Sequence, residues 1–122
     1  MLYVAYSGNH RILVFDASTG LVIRSLGNGK GSALGQLEDP SGLALQLPCR
    51  PEDKALLFVA DEANCRIQVF DAVTGEALRE LSVGDDDGGK AEPLGVVVHR
   101  QPDGSSLLFV SCLNDRVQVM AM

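Results

Sequence analysis

The stretch Leu57-Phe58-Val59-Ala60-Asp61, followed after a polar break by Asn64-Cys65-Arg66-Ile67-Gln68-Val69-Phe70-Asp71, occurs in recognisable form three times. Upstream it reads Leu2-Tyr3-Val4-Ala5 with Asn9-His10-Arg11-Ile12-Leu13-Val14-Phe15. Downstream it reads Leu108-Phe109-Val110-Ser111 with Asn114-Asp115-Arg116-Val117-Gln118-Val119-Met120. The step from Arg11 to Arg66 is 55 residues and from Arg66 to Arg116 is 50, a period long enough to hold several strands. Leu56 to Ala60 is apolar on consecutive residues, which predicts a strand covered on both faces. In the second run Ile67 and Val69 share one face by the period of two. The two runs predict a hairpin, and its recurrence predicts a stacked all-β array.

The remaining segments extend the unit to four strands. Asp71-Ala72-Val73-Thr74-Gly75 recurs as Asp16-Ala17-Ser18-Thr19-Gly20. Asp can fold back on its own backbone and Gly can take positive φ, so both copies predict the same turn. A third strand is expected over Glu76 to Val83, matched by Leu21 to Leu26. Gly-rich connectors, Gly27 to Pro40 and Gly84 to Pro93, read as loops. Each leads into an apolar run, Leu43-Ala44-Leu45 or Leu94-Gly95-Val96-Val97-Val98; a Pro at the start of a strand removes no ladder hydrogen bond. Four antiparallel strands joined by tight turns are the make-up of a β-propeller blade. Lettered A to D from the innermost strand outward, residues 1–37 are expected to form a partial blade (B-C-D). Residues 38–92 then form a complete blade and its following loop, and residues 93–122 a partial blade (A-B-C), an incomplete ring of about 2.5 to 3 blades.

The order of these features resembles the NHL-repeat family of β-propellers. The carrying residues are Gly35-Gln36-Leu37, Asp39-Pro40-Ser41-Gly42-Leu43-Ala44, Leu57 to Asp61, Asn64 with Arg66 to Asp71, and Thr74-Gly75. Departures are Tyr6 where the second unit has Asp61, Ser111-Cys112 where the family favours Ala-Asp, and a third unit one residue shorter before Asn114. The resemblance implies closure at about six blades and a role as a protein-binding platform, often beside ubiquitin-ligase or other signalling domains. It also brings two alternatives, an RNA-binding propeller and a lyase or lactonase that holds a metal on the ring axis. An unfinished ring would turn an apolar face of each terminal blade to water, which marks an interaction surface. It would also leave the backbone edge near Val117 to Met120 open for pairing. Two copies joined head to tail would close such a ring; the sequence being a piece of a longer product whose further blades complete it is the other expectation.

The composition is that of an ordinary globular domain: 122 residues, 46% hydrophobic and 21% charged. With 5% aromatics and no Trp, the core must be filled mainly by Val, Leu, Ile and Ala. The net charge of −6 is uneven: three Lys or Arg stand against one Asp in residues 1–37, five against thirteen acids in 38–92, and two against two in 93–122. An acidic surface repels a phosphate backbone, so nucleic acid is an unfavoured partner. A basic face for RNA would have to come from Arg11, Arg24 and Lys30. No run approaches the roughly 20 apolar residues of a membrane span, and strand-like sequence begins at Leu2 with no leader-like segment before it. Cys49, Cys65 and Cys112 lack CxxC spacing, so reduced thiols in a cytoplasmic setting are expected.

No catalytic, cofactor or metal residues emerge, and the chain reads as a non-enzymatic module. His10 and His99 lie in different units, and His10 is replaced by Cys65 and Asp115 in the other copies, which predicts a turn residue. Asp85-Asp86-Asp87-Gly88-Gly89 lacks the twelfth-position Glu of a calcium loop, where Val96 stands. Asn9 with Arg11, Asn64 with Arg66 and Asn114 with Arg116 recur together, and an Arg fork can satisfy several carbonyls at a turn, so these pairs are expected to stabilise the repeat. The candidate partner surface is acidic: Asp61 and Glu62 in one hairpin with Asp85, Asp86 and Asp87 in the following loop, a cluster suited to a basic protein.

Overall fold

Among the described residues, short runs of β-branched, Leu and Phe residues broken by Gly, Pro and Asp produce ten strands and no α-helix. They are β1 (Leu2–Tyr6), β2 (Arg11–Phe15), β3 (Val22–Leu26), β4 (Pro40–Gln46), β5 (Leu56–Asp61), β6 (Arg66–Asp71), β7 (Ala77–Ser82), β8 (Pro93–Arg100), β9 (Ser106–Cys112) and β10 (Arg116–Ala121). The computed structural model describes residues 1–84 and 88–122. Antiparallel pairing of sequence neighbours gives three separate sheets, β1-β2-β3, β4-β5-β6-β7 and β10-β9-β8, hereafter sheets one, two and three. They do not close into a barrel. Among the described residues no helix is long and apolar enough to cross a membrane.

The consecutive apolar run of β5 is explained by what lies on either side of it. Leu57 and Val59, with Phe70 from β6, join Ile12, Val14 and Leu26 of sheet one and Leu37 of the connector in one buried cluster. Phe58 and Ala60, with Ile67 and Val69 from β6, join Val96, Leu108 and Val110 of sheet three in another. Alternate residues of a strand point to opposite faces, so sheet two is the filling between its two neighbours. Each large side chain buried there contributes about 1.5–3 kcal/mol. At the inner edge β4 and β8 come together backbone to backbone. A Cβ on Gly42 would lie 2.5 Å from the Leu94 carbonyl oxygen and 2.7 Å from Gly95 Cα.

One boundary differs from the sequence expectation, and the turns explain it. The third strand of each unit begins at Val22 or Ala77 rather than Leu21 or Glu76. The Leu21 and Glu76 carbonyls instead close their turns by accepting from Asp16 N–H (2.9 Å) and Asp71 N–H (2.8 Å). The fourth strand starts at Pro40 or Pro93 itself, paired with Asp61 or Cys112, before the register shifts. The β1–β2 and β5–β6 connections are each a 3₁₀ turn, Ser7–Asn9 and Glu62–Asn64, ended by a left-handed residue, His10 (φ 54°) and Cys65 (φ 52°). Asp115, their counterpart, is also left-handed (φ 61°). That shared conformation is what the position requires, which accounts for its varied chemistry.

The Asp71 turn is held by its own side chain: Oδ1 accepts from Val73 N–H (2.9 Å) and Thr74 N–H (3.0 Å). The Thr74 N–H above all, then that of Val73 and the Lys54 ammonium, hold its carboxyl below the usual carboxylate range. A depressed folded-state value means the stabilisation is present above the unfolded value and is lost as pH falls through the folded one. Asp71→Ala is expected to destabilise the fold by about 1–2 kcal/mol at neutral pH. In denaturant titrations its deficit against wild type should shrink below about pH 4.

Candidate functional site

Arg66 opens β6 on the face that looks toward sheet one, together with Gln68 and Phe70. The connector of residues 27–39 folds over that face, so the guanidinium, only 5% exposed, lies beneath backbone rather than water. Its Nη1 donates to Ser32 O (2.9 Å), and its Nη2 to Ala33 O (3.1 Å) and Gln36 O (2.7 Å). Its Nε donates to Asp61 Oδ2 (2.7 Å), and Nη1 also reaches Glu80. Asp61 in turn accepts from Glu38 N–H (2.8 Å) and Asn64 Nδ2 (3.0 Å). Asn64 Nδ2 donates to Gly31 O (2.8 Å), while Gln68 accepts from Gly35 N–H and donates to Gln36 O. Four side chains of the β5–β6 hairpin thus clasp the loop that arrives from sheet one.

This geometry corrects one sequence expectation. Asp61 is 0% exposed, and its carboxylate is occupied by three internal donors, so it is not part of a partner-binding surface. The recurrence of Asn and Arg also does not make three equal clasps. Asn9 and Arg11 are exposed on sheet one, where Tyr6 and Leu13 stand in place of Asp61 and Gln68. Asn114 and Arg116 are exposed as well; Arg116 lines a cleft with Gly84 and Lys90, and Gln118 Oε1 accepts from Gly84 N–H (3.1 Å) as Gln68 does from Gly35. Cys112 takes the place of Asp61 there and is buried.

What remains of the acidic candidate is Glu62, half-buried in its 3₁₀ turn; Asp85, Asp86 and Asp87 lie outside the described residues. Burial first, then the charges of Glu92 and Asp39, push the Glu62 carboxyl above its ordinary range. These three acids come together because the connectors dock on the hairpins: Glu38 O accepts from Ala63 N–H (3.1 Å) and Glu92 O from Leu113 N–H (2.9 Å). Asp39 and Glu92 were missed by local reading, although each directly precedes the Pro that starts an inner strand, Pro40 and Pro93. Asp39 is itself left-handed (φ 52°); its N–H donates to His10 Nδ1 (3.1 Å), and its carboxylate lies 3.7 Å from that nitrogen.

The other candidate residues are dispersed. The Arg24 guanidinium donates to Ala72 O (2.6 Å) and Val73 O, and Lys30 pairs with Glu38 at 3.8 Å, so with Arg11 they do not form one basic face. Among the described residues no group of three His, Cys, Asp or Glu side chains is placed to hold a metal ion. Cys49, Cys65 and Cys112 are free thiols. At the opposite end of the sheets Arg100 donates to Leu47 O (2.8 Å) and contacts Cys49 Sγ, tying two connectors together; nothing in the repeat pattern signals that pair. No family model and no curated protein matches the chain.

Removing Arg66 strands Asp61 as a buried charge and frees the Ser32, Ala33 and Gln36 carbonyls. Arg66→Ala is expected to cost about 3–5 kcal/mol, whereas Arg11→Ala, at the exposed equivalent, should fall within about 0.5 kcal/mol of wild type. Equilibrium urea unfolding of both variants checks the contrast.

Proposed function

We propose that the chain is a segment of an NHL-type β-propeller, its sheets serving as blades, and that it acts as a non-enzymatic protein-binding module with a basic partner. Three stacked antiparallel sheets with neighbouring strands in sequence order support the blade assignment. Free thiols support a reducing, cytoplasmic setting. The observation that carries the binding role is the docking of the connectors on the hairpins, Ala63 N–H on Glu38 O (3.1 Å) and Leu113 N–H on Glu92 O (2.9 Å), which sets Asp39 and Glu92 at the same end of the sheets as Glu62. Loops held on a rigid scaffold are the usual seat of binding. A cationic side chain entering between these acids would relieve their mutual repulsion and steer encounter in a salt-sensitive way.

A photo-crosslinking residue placed at exposed Ala63 would identify the partner, whose purified form is then titrated. Glu62→Lys with Glu92→Lys should weaken binding roughly tenfold or more and flatten its salt dependence; unchanged binding would remove this end from the function. The acids also leave a signature without a partner. A raised folded-state value makes the Glu62 contribution full below the unfolded carboxylate value and lost as pH rises through the folded one. Glu62→Gln should therefore raise Tm slightly at pH 7, and the gain should vanish below about pH 4.

A further inference from the structure

The two outward faces of the stack are the same two faces that are buried inside it. On sheet one, Leu2, Val4 and Tyr6 point away from the core formed with sheet two, and all three are exposed. Their repeat equivalents are Leu57, Val59 and Asp61, which are buried on the face that sheet two turns to sheet one. On sheet three the outward residues are Val97 (62% exposed), Phe109, Val117 (66% exposed) and Val119. Their equivalents are Ala44, Phe58, Ile67 and Val69, which meet sheet three in the second core cluster. Each internal contact thus joins the trailing face of one sheet to the leading face of the next, and the stack exposes one unused face of each kind.

From this we infer that a second copy of the chain covers both faces, sheet three of each copy packing on sheet one of the other. The occupant is specified by continuity with the interface already present twice in the chain: the face Val97, Phe109, Val117 and Val119 is built to receive a leading face, and the leading face left open is that of sheet one. Two such contacts related by a two-fold axis satisfy both copies and leave no face to propagate a filament. With three sheets from each copy, the ring has six, inside the range of about 4–8 at which propellers close. The closed ring rests on the blade assignment above; the acidic hairpin end plays no part in it.

Sedimentation equilibrium of the purified chain at micromolar concentration should give twice the chain mass. Val117→Asp changes an exposed residue, so it should keep the wild-type circular dichroism at low temperature while raising the dimer dissociation constant roughly tenfold or more. In a Cys49→Ser background, mixing a Val4→Cys copy with a Val117→Cys copy should give an oxidised disulfide dimer that neither copy gives alone. A wild-type monomer, a mass that climbs with concentration past two chains, a dimer indifferent to Val117→Asp, or a disulfide formed by Val117→Cys alone would each overturn the assembly. A monomer would still leave the acidic end to stand or fall by its own partner titration.

Discussion

Everything in this molecule follows from one sheet being buried on both faces. β5 and β6 place Leu57, Val59 and Phe70 on one side and Phe58, Ala60, Ile67 and Val69 on the other, and both sets are almost wholly withdrawn from water. Within one copy, the apolar clusters of both outer sheets are completed by the middle one, so that contact is central to the stability of each. The nearest-neighbour character of the stack is that of repeat proteins, where interface terms between adjacent units dominate the stability.

Polar chemistry is superimposed on that packing where connectors must be fixed. A loop covering a sheet brings carbonyls and amides into a dry region, where each needs a partner. Arg66 answers with a planar fork that reaches three carbonyls at once, and Asp61 neutralises it from within the same sheet. A buried pair of this kind adds little net stability against an apolar alternative; what it supplies here is a defined position for residues 31–36. At the other end of the repeat, Asp16 and Asp71 fix their turns chiefly by hydrogen bonds to the backbone two and three residues on.

The strands, their pairing order and the two-sided burial of β5 were legible because they are written in local periodicity and in the threefold recurrence. Exact strand starts were not, since the Leu21 and Glu76 carbonyls are taken by turn hydrogen bonds that composition does not reveal. The candidate site was legible in part. The recurrent Asn and Arg pointed to a structural role, and at Arg66 the carbonyl contacts are of the kind an Arg fork makes. Asp61 read as a surface charge because sequence shows its type and turn position but not the loop folded over it. The grouping of Glu62 with Asp39 and Glu92 depends on connectors docking across units, a long-range event with no local signature.

The clasp also has a direction in time. Residues 31–36 leave the ribosome well before Arg66, yet Arg66 supplies their hydrogen-bond partners. During synthesis that segment must wait, solvated and unshaped, until the next hairpin has been made and has turned back upon it. At this junction the order of assembly therefore runs backward along the chain, with the newly finished sheet two locking the exit of sheet one.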